Sequence, residues 1–329
     1  MPKPLALALG DPAGVGPEVA AKAWERRKAE GLSPFFAVGA PEAVAAVWNG
    51  PIEVVAGPDE AASCFDRALP VIRIDGGGDS APGRPTLEGA RGSLDSLELA
   101  VGLTRSGAAS ALVTGPVSKA QLYAIGFTHP GQTEFVAERC GIAGDMVAMM
   151  LAGPTLRTVP VTTHVPLRDV PDMLTTELIV ARGRTTIRGL RRQFGIQRPR
   201  IAVAGLNPHA GEDGALGREE IDIVIPAIER LREEEADIFG PLAADAMFHP
   251  RMRSTYDAAL CLYHDQALVP LKTLHFDEGV NITLGLPIVR TSPDHGTAFA
   301  IAGQDRAEPG AMIAALRMAA SCAQRLASA

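Results

Sequence analysis

CLYHDQALVPLKTLHFDEGVNITLGLPIVRTSPDHGTA (261–298) decides the fold. A short apolar run, residues 258–263, delivers His264 and Asp265 at its carboxyl end, and Lys272, Asn281 and Arg290 follow within the same segment. A short run ending on chemically able side chains is what an open α/β sheet looks like in sequence. Functional groups in such sheets gather just past the carboxyl ends of the strands. Taken alone, His264 is equally well a buried histidine satisfied by Asp265, because polar clusters also serve structural ends. Two further histidines upstream change that balance.

Outward from this segment, short apolar runs alternate with longer helical patterns. Strands are predicted at 4–10, 35–39, 53–57, 71–74, 111–115, 146–153 and 156–164, and from Arg200 into a loop that holds His209. Helices are predicted over 16–31, 86–107, 133–141, 175–195, 218–236 and 308–329. The alternation predicts a mostly parallel sheet with helices on both faces. At 329 residues and 47% hydrophobic, the chain is too long for one small domain, and two are expected. Composition marks no linker; the loop at 128–132 is the best candidate for the first crossing.

Three of the seven histidines, His164, His209 and His264, follow predicted strands and so project from one end of the sheet. Neutral imidazoles suit zinc and neighbouring divalent metals, and three protein ligands with an open position is the catalytic pattern. The opposing reading is three unrelated histidines, since no two are spaced i, i+4. Asp245 and Asp265 are either a fourth ligand or partners that fix an imidazole tautomer. The loop GDPAGVGPE (10–18) is either a weak anion cradle or a tight turn. Its glycines at 10, 14 and 16 do not make G-x-G-x-x-G, which excludes Rossmann-style dinucleotide binding.

A formal charge of −7 and the lack of a basic block argue against nucleic-acid binding. Four scattered cysteines with no Cys-x-x-Cys pair argue for a reducing compartment. No signal-peptide pattern or membrane-length apolar stretch is present, so a cytoplasmic location is expected.

GDPAGVGPE, LVTGPVSK (112–119), HPGQTEF (129–135), TTHVPLRD (162–169), GLNPHAGEDG (205–214), GPLAAD (240–245), YHDQ (263–266) and VNITLGLPIVRTSPDHGTA (280–298) occur in this order. Together they resemble the 4-hydroxythreonine-4-phosphate dehydrogenase (PdxA) family, from about residue 4 to the end. The resemblance implies the isocitrate/isopropylmalate dehydrogenase-like fold, two α/β/α domains flanking an active-site cleft. Residues 1–130 plus 280–329 would form the first domain, and 131–279 the second, carrying the histidines. It implies a homodimer whose active site lies at the subunit interface. His164, His209 and His264 would bind a divalent metal (zinc, magnesium or cobalt). Gln132, Thr133, Lys272, Asn281 and Arg290 would bind a small phosphorylated substrate. His295, Gly296 and Thr297 would contact NAD or NADP. The chain departs from the family at Gln132, where histidine is usual, and at Ser118, where histidine is frequent.

The implied reaction is NAD(P)-dependent oxidation of 4-phosphooxy-L-threonine to a β-keto acid, which decarboxylates to 3-amino-2-oxopropyl phosphate on the route to pyridoxal phosphate. Two other readings stand beside it. One is a sibling dehydrogenase of a four-carbon sugar-acid phosphate (erythronate or threonate 4-phosphate). The other, more distant, is a phosphate acyltransferase-like or non-redox metal-binding protein.

Overall fold

The computed structural model describes residues 3–234 and 236–328. Contacts divide the chain into two units, Met1–Gly141 with Leu286–Gln324, and Ile142–Gly285 with Arg325–Ala329. Among the described residues no helix is long and apolar enough to cross a membrane.

The first unit opens with β1 (Leu5–Ala8), α1 (Gly16–Glu25), β2 (Phe35–Gly39), α2 (Pro41–Ala45), β3 (Ile52–Val54), α3 (Pro58–Cys64) and β4 (Leu69–Arg73). It continues through α4 (Leu87–Arg105), β5 (Leu112–Thr114), α5 (Lys119–Ala124) and α6 (Gln132–Arg139). The chain returns to it as β12 (Arg290–Pro293) and α13 (Gly310–Ser328). Its strands lie in the order β3-β4-β2-β1-β5-β12, and every pairing is parallel. LALA and FFAVG are buried along their whole lengths, as expected of strands covered on both faces. Ser96 of α4 donates to the Val38 carbonyl at 2.6 Å, tying helix to sheet. Thr86 caps α4 by accepting from the Gly89 amide.

The second unit contains β6 (Ala148–Ala152), β7 (Arg157–Pro160), α7 (Val170–Met173), α8 (Thr176–Phe194), β8 (Arg200–Ala204), α9 (Ile225–Glu233) and β9 (Asp237–Leu242). It ends with α10 (Ala244–Met247), α11 (Pro250–Arg253), β10 (Ala258–Cys261), α12 (His264–His275) and β11 (Val280–Leu284). The strand order is β11-β6-β7-β10-β8-β9. Only β6 runs against its neighbours; the rest are parallel. One face of this sheet, Ala202, Ala204, Ala259 and Cys261, packs with Ala267 and Leu271 of α12. That packing fixes where the helix begins, and therefore where His264 sits.

Several boundaries differ from those read off the sequence. The helix expected over 16–31 stops at Glu25 and gives way to turns reaching Gly31, at φ 58°. The strand expected to reach His164 ends at Pro160, although Val161 N–H still donates to the Cys261 carbonyl at 2.7 Å. The helix expected over 218–236 divides into a π-turn (Glu220–Val224) and α9. Pro226 has no N–H to return to the carbonyl four residues back, so the regular ladder cannot run through it. The segment after His264, given no element by the sequence, is helix α12.

Candidate active site

β7, β10 and β8 are consecutive parallel neighbours, in register Cys261↔Pro160 and Leu260↔Val203. Their carboxyl ends lead into the segments that carry His164, His264 and His209. The imidazoles of His164 and His264 stand with ring centroids 5.5 Å apart, tilted by 44°. They line a cavity of about 220 Å³ with Thr162, Val165, Tyr263 and Asp265. His264 Nδ1 lies 2.7 Å from Asp265 Oδ1. With the proton on Nδ1 shared with the carboxylate, the other ring nitrogen, Nε2, keeps its lone pair. His164 adopts φ 54°, a left-handed conformation that a non-glycine residue holds only when its surroundings impose it.

His209 lies in a loop whose backbone is left-handed at five successive residues: His209 (φ 53°), Ala210 (53°), Gly211 (83°), Glu212 (44°) and Asp213 (52°). Beneath it, Glu220 accepts from the Asn207 amide at 2.7 Å and from Asn207 Nδ2 at 2.9 Å. Gln266, in the first turn of α12, accepts from Leu262 N–H at 2.7 Å and donates to the Gly205 carbonyl at 2.8 Å. It thereby joins the start of the His264 helix to the start of the His209 loop. Among the described residues of one chain, no three His, Cys, Asp or Glu side chains gather closely enough to hold one ion. The chain brings His164 and His264 together and leaves His209 outside that pair. Asp245 is exposed on α10, and the recorded contact to an imidazole is that of Asp265.

The donor chemistry fits a divalent metal. Tetrahedral zinc with Zn–N bonds of about 2.0–2.1 Å sets two bound imidazole centroids roughly 5–5.5 Å apart. The His164–His264 separation matches that spacing. Lys272 is half-buried on α12, and Asn281 stands on β11 opposite Leu151. Asn281 Oδ1 is buried with no hydrogen-bond partner among the described residues, an acceptor suited to a ligand's amine or hydroxyl.

In the first unit, Arg290 opens β12 and is 3% exposed. It donates to Thr114 Oγ1 at 2.8 Å, to Thr133 Oγ1 at 3.4 Å and to Gln132 Oε1 at 3.5 Å. Burial pushes its pKa down to about 10, partly offset by Glu134, so it is a cation at neutral pH. Gln132 Nε2 donates to the Gly115 carbonyl at 3.1 Å. The helix cap is Gly131, without a side-chain bond, so Gln132 begins α6 but does not cap it. Thr114, the end of β5, was not singled out by sequence reading. Nothing in LVTGPVSK distinguishes an arginine-holding threonine from a strand threonine.

The loop at 10–16 is a turn. Asp11 N–H goes to Pro116, Ala13 N–H to Asp11 Oδ1, Gly14 N–H to the Asp11 carbonyl and Val15 N–H to the Thr297 carbonyl. These amides are engaged and offer nothing to a phosphate. Gly14 is required because a Cβ there would lie 2.9 Å from the Thr297 carbonyl oxygen. The loop therefore supports the 294–298 segment. In that segment His295 and Gly296 are exposed and Thr297 is half-buried.

The model of the pyridoxal phosphate biosynthetic protein PdxA matches residues 34–319. The chain is 59% identical over 321 residues to a 4-hydroxythreonine-4-phosphate dehydrogenase of Zymomonas mobilis, covering 98% of this chain and 96% of that protein. A crystal structure of 4-hydroxythreonine-4-phosphate dehydrogenase from Klebsiella pneumoniae superposes with TM-score 0.89 at 35% identity, covering 98% and 99% of the two chains. A beta-decarboxylating dehydrogenase from Thermococcus kodakarensis shares the fold, with TM-score 0.50 and 14% identity over 99% of this chain and 84% of that one.

Proposed function

The chain belongs to the PdxA family of pyridoxal phosphate biosynthesis, and we propose that it oxidises the secondary alcohol of 4-phosphooxy-L-threonine using a divalent metal and NAD or NADP. Curated relatives across nearly the whole chain carry the dehydrogenase name, which makes it an oxidoreductase. The observation that carries the finer reading is the delivery of His164, His209 and His264 by three adjacent parallel strands, with two of the rings already at metal-ligand spacing.

His164, His209 and His264 would hold the metal, with Asp265 fixing the His264 tautomer. When bound, the metal would polarise the alcohol oxygen and lower its pKa, and the nicotinamide would accept the hydride. The protein's own groups bind and orient. Lys272 and Arg290 are each suited to a carboxylate or a phosphate, Arg290 through a planar fork and Lys272 as a point charge. Asn281 Oδ1 accepts from the substrate's amine or hydroxyl. Thr133 and Gln132 lie beside the Arg290 guanidinium and offer neutral hydrogen bonds to the substrate. His295, Gly296 and Thr297 contact the nicotinamide cofactor. The product β-keto acid loses carbon dioxide to give 3-amino-2-oxopropyl phosphate.

The functional form is a homodimer in which both subunits contribute to each metal site. The pairing of only two imidazoles within one chain supports this. A cytoplasmic location is supported by four cysteines that are not joined in disulfides.

NADH formation from 4-phosphooxy-L-threonine, with and without chelator, tests the reading. Activity that chelator removes and added zinc or cobalt restores is expected, with little turnover of erythronate 4-phosphate. Faster turnover of the sugar-acid phosphate, or full activity in chelator, would overturn it.

A further inference from the structure

We infer that Glu220 is a positioning residue that holds His209 in metal-binding geometry by clamping its left-handed loop from below. The inference rests on the reading of His209 as a metal ligand. Four features of the chain converge on this carboxylate.

First, the loop does not stay in place through its own preferences. Left-handed backbone costs an L-residue roughly 1–2 kcal/mol, and four non-glycine residues, His209, Ala210, Glu212 and Asp213, adopt it together. Such a run persists only where neighbours over-determine it.

Second, Glu220 is 2% exposed yet carries a carboxylate. Both of its oxygens are engaged by one residue of the loop, Asn207, through the backbone amide and the side-chain amide. Glu219 takes a further bond from Asn207 Nδ2 at 2.7 Å. Asn207 lies two residues before His209, so these bonds set the entry of the chain into the left-handed run.

Third, the loop backbone lies on the carboxylate. A Cβ on Gly211 would stand 2.6 Å from Glu220 Oε2, and one on Gly205 would stand 3.2 Å from Oε1. Glycine at 205 and 211 is what lets the loop descend onto Glu220.

Fourth, Glu220 begins the π-turn that precedes α9. A π-turn re-aims side chains relative to a regular helix, and such turns recur at functional sites.

The full-length protein, stripped of metal, is titrated with Co²⁺. Affinity and visible d–d bands are recorded beside the thermal unfolding of the metal-free protein. Glu220→Gln keeps the shape but sets an NH2 group against the Asn207 donors. It is expected to weaken Co²⁺ binding by ten- to a hundredfold, the range typical of losing a group that orients a ligand, and to shift the bands. Should that variant fail to fold, Asn207→Ala, which retains the backbone bond, is expected to give a several-fold loss. A purely structural role would lower the Tm but leave affinity and spectrum at wild-type values in folded protein, and that result overturns the inference. His209→Ala separates the two levels. Unchanged Co²⁺ binding in His209→Ala overturns the metal reading and this inference with it. Loss in His209→Ala with wild-type behaviour in Glu220→Gln overturns the inference alone.

Discussion

Replacing Arg290 by methionine should leave the fold standing and remove substrate recognition. The guanidinium is 3% exposed, and burial takes its pKa down to about 10. One pKa unit corresponds to about 1.4 kcal/mol, so holding the charge inside costs folding on the order of 3 kcal/mol. The native pKa lies below the unfolded one, so the cost is present in full at neutral pH. It is released only above about pH 10, where stability rises with pH. The guanidinium's bond to Thr114 at 2.8 Å offsets this by about 1.5–3 kcal/mol for a charged donor. The bonds to Thr133 and Gln132, at 3.4 and 3.5 Å, add little. Methionine fills similar volume without the desolvation cost, but leaves the Thr114 hydroxyl unsatisfied at about 1–3 kcal/mol. These contributions nearly cancel, and the Tm should move by no more than about 8 °C for a chain of this size. Two charge-assisted bonds to a carboxylate or phosphate, at about 1.5 kcal/mol or more each, make kcat/KM fall at least roughly a hundredfold. NADH formation against substrate concentration and a thermal melt measure both quantities. A kcat/KM within tenfold of wild type, accompanied by a collapse in Tm, would refute the argument and make Arg290 a structural residue.

Gln132→Ala should raise KM about tenfold with little change in Tm, because Gln132 is bonded to Gly115 and Arg290 and does not cap α6. Gln132→His should keep activity and give KM a pH dependence near the imidazole pKa of about 6.5; a flat KM–pH profile would count against substrate contact. Mixing inactive His164→Ala and His209→Ala chains under conditions of subunit exchange should restore part of the activity, because the chain that keeps His164 beside His264 would take His209 from its partner. No recovery would count against a site completed by the second subunit. Asp257 is pushed up by burial but pulled down further by its bonds to Arg200, at 2.8 and 3.0 Å, and ends below the ordinary carboxylate range. Its stabilisation is present above the unfolded carboxylate pKa and lost as pH falls through the native value. Asp257→Asn should therefore lower Tm by a few degrees at pH 7 and by much less near pH 3; an equal loss at both would reject the ionic contribution. His209→Gly should raise the Tm of the metal-free protein by relieving left-handed strain, while His209→Ala should not.

The strands that carry chemistry were legible because burial on both faces leaves an unbroken apolar run. FFAVG reads as a strand at its observed bounds, and the apolar runs from Ala258 and Arg200 begin the strands AALC and RIAVA. The shared end of the three histidine-bearing strands was legible too, since alternation with helices makes them parallel. Lateral order was not, because β10 enters between β7 and β8 although it follows both in sequence. The units' limits at Gly141 and Leu286 were equally hidden, with no change of composition at either point. α12 is not among the predicted helices; it runs from His264 to His275 with Pro270 inside it. Thr114, Gln266 and Glu220 act by holding other groups. Their partners, Arg290, Gly205 and Asn207, lie 176, 61 and 13 residues away in sequence.

Strain locates the site independently of residue chemistry. Among the described residues, the non-glycine positions with positive φ are His164, His209, Ala210, Glu212, Asp213, Ala298 and Asp305. All follow β7, β8 or β12, three of the four strands, β10 being the other, whose carboxyl ends the sequence and its family resemblance nominated for metal and cofactor. At roughly 1–2 kcal/mol each, this strain is comparable to the whole stability of a typical domain, about 5–15 kcal/mol. It can be tolerated because the strands that precede these loops, β7, β8 and β12, are each buried at all but one residue and paired in parallel with a neighbour. The loop at 10–16 shows the contrary solution. Its one left-handed position is Gly10, and the Asp11, Ala13, Gly14 and Val15 amides are all bonded within the first unit. Two strand-to-helix loops can thus look alike in sequence, both rich in glycine, and differ in kind. Where the glycines take the left-handed positions, the loop is a brace. Where histidine takes one, the chain is holding an imidazole in a place that it would not otherwise occupy.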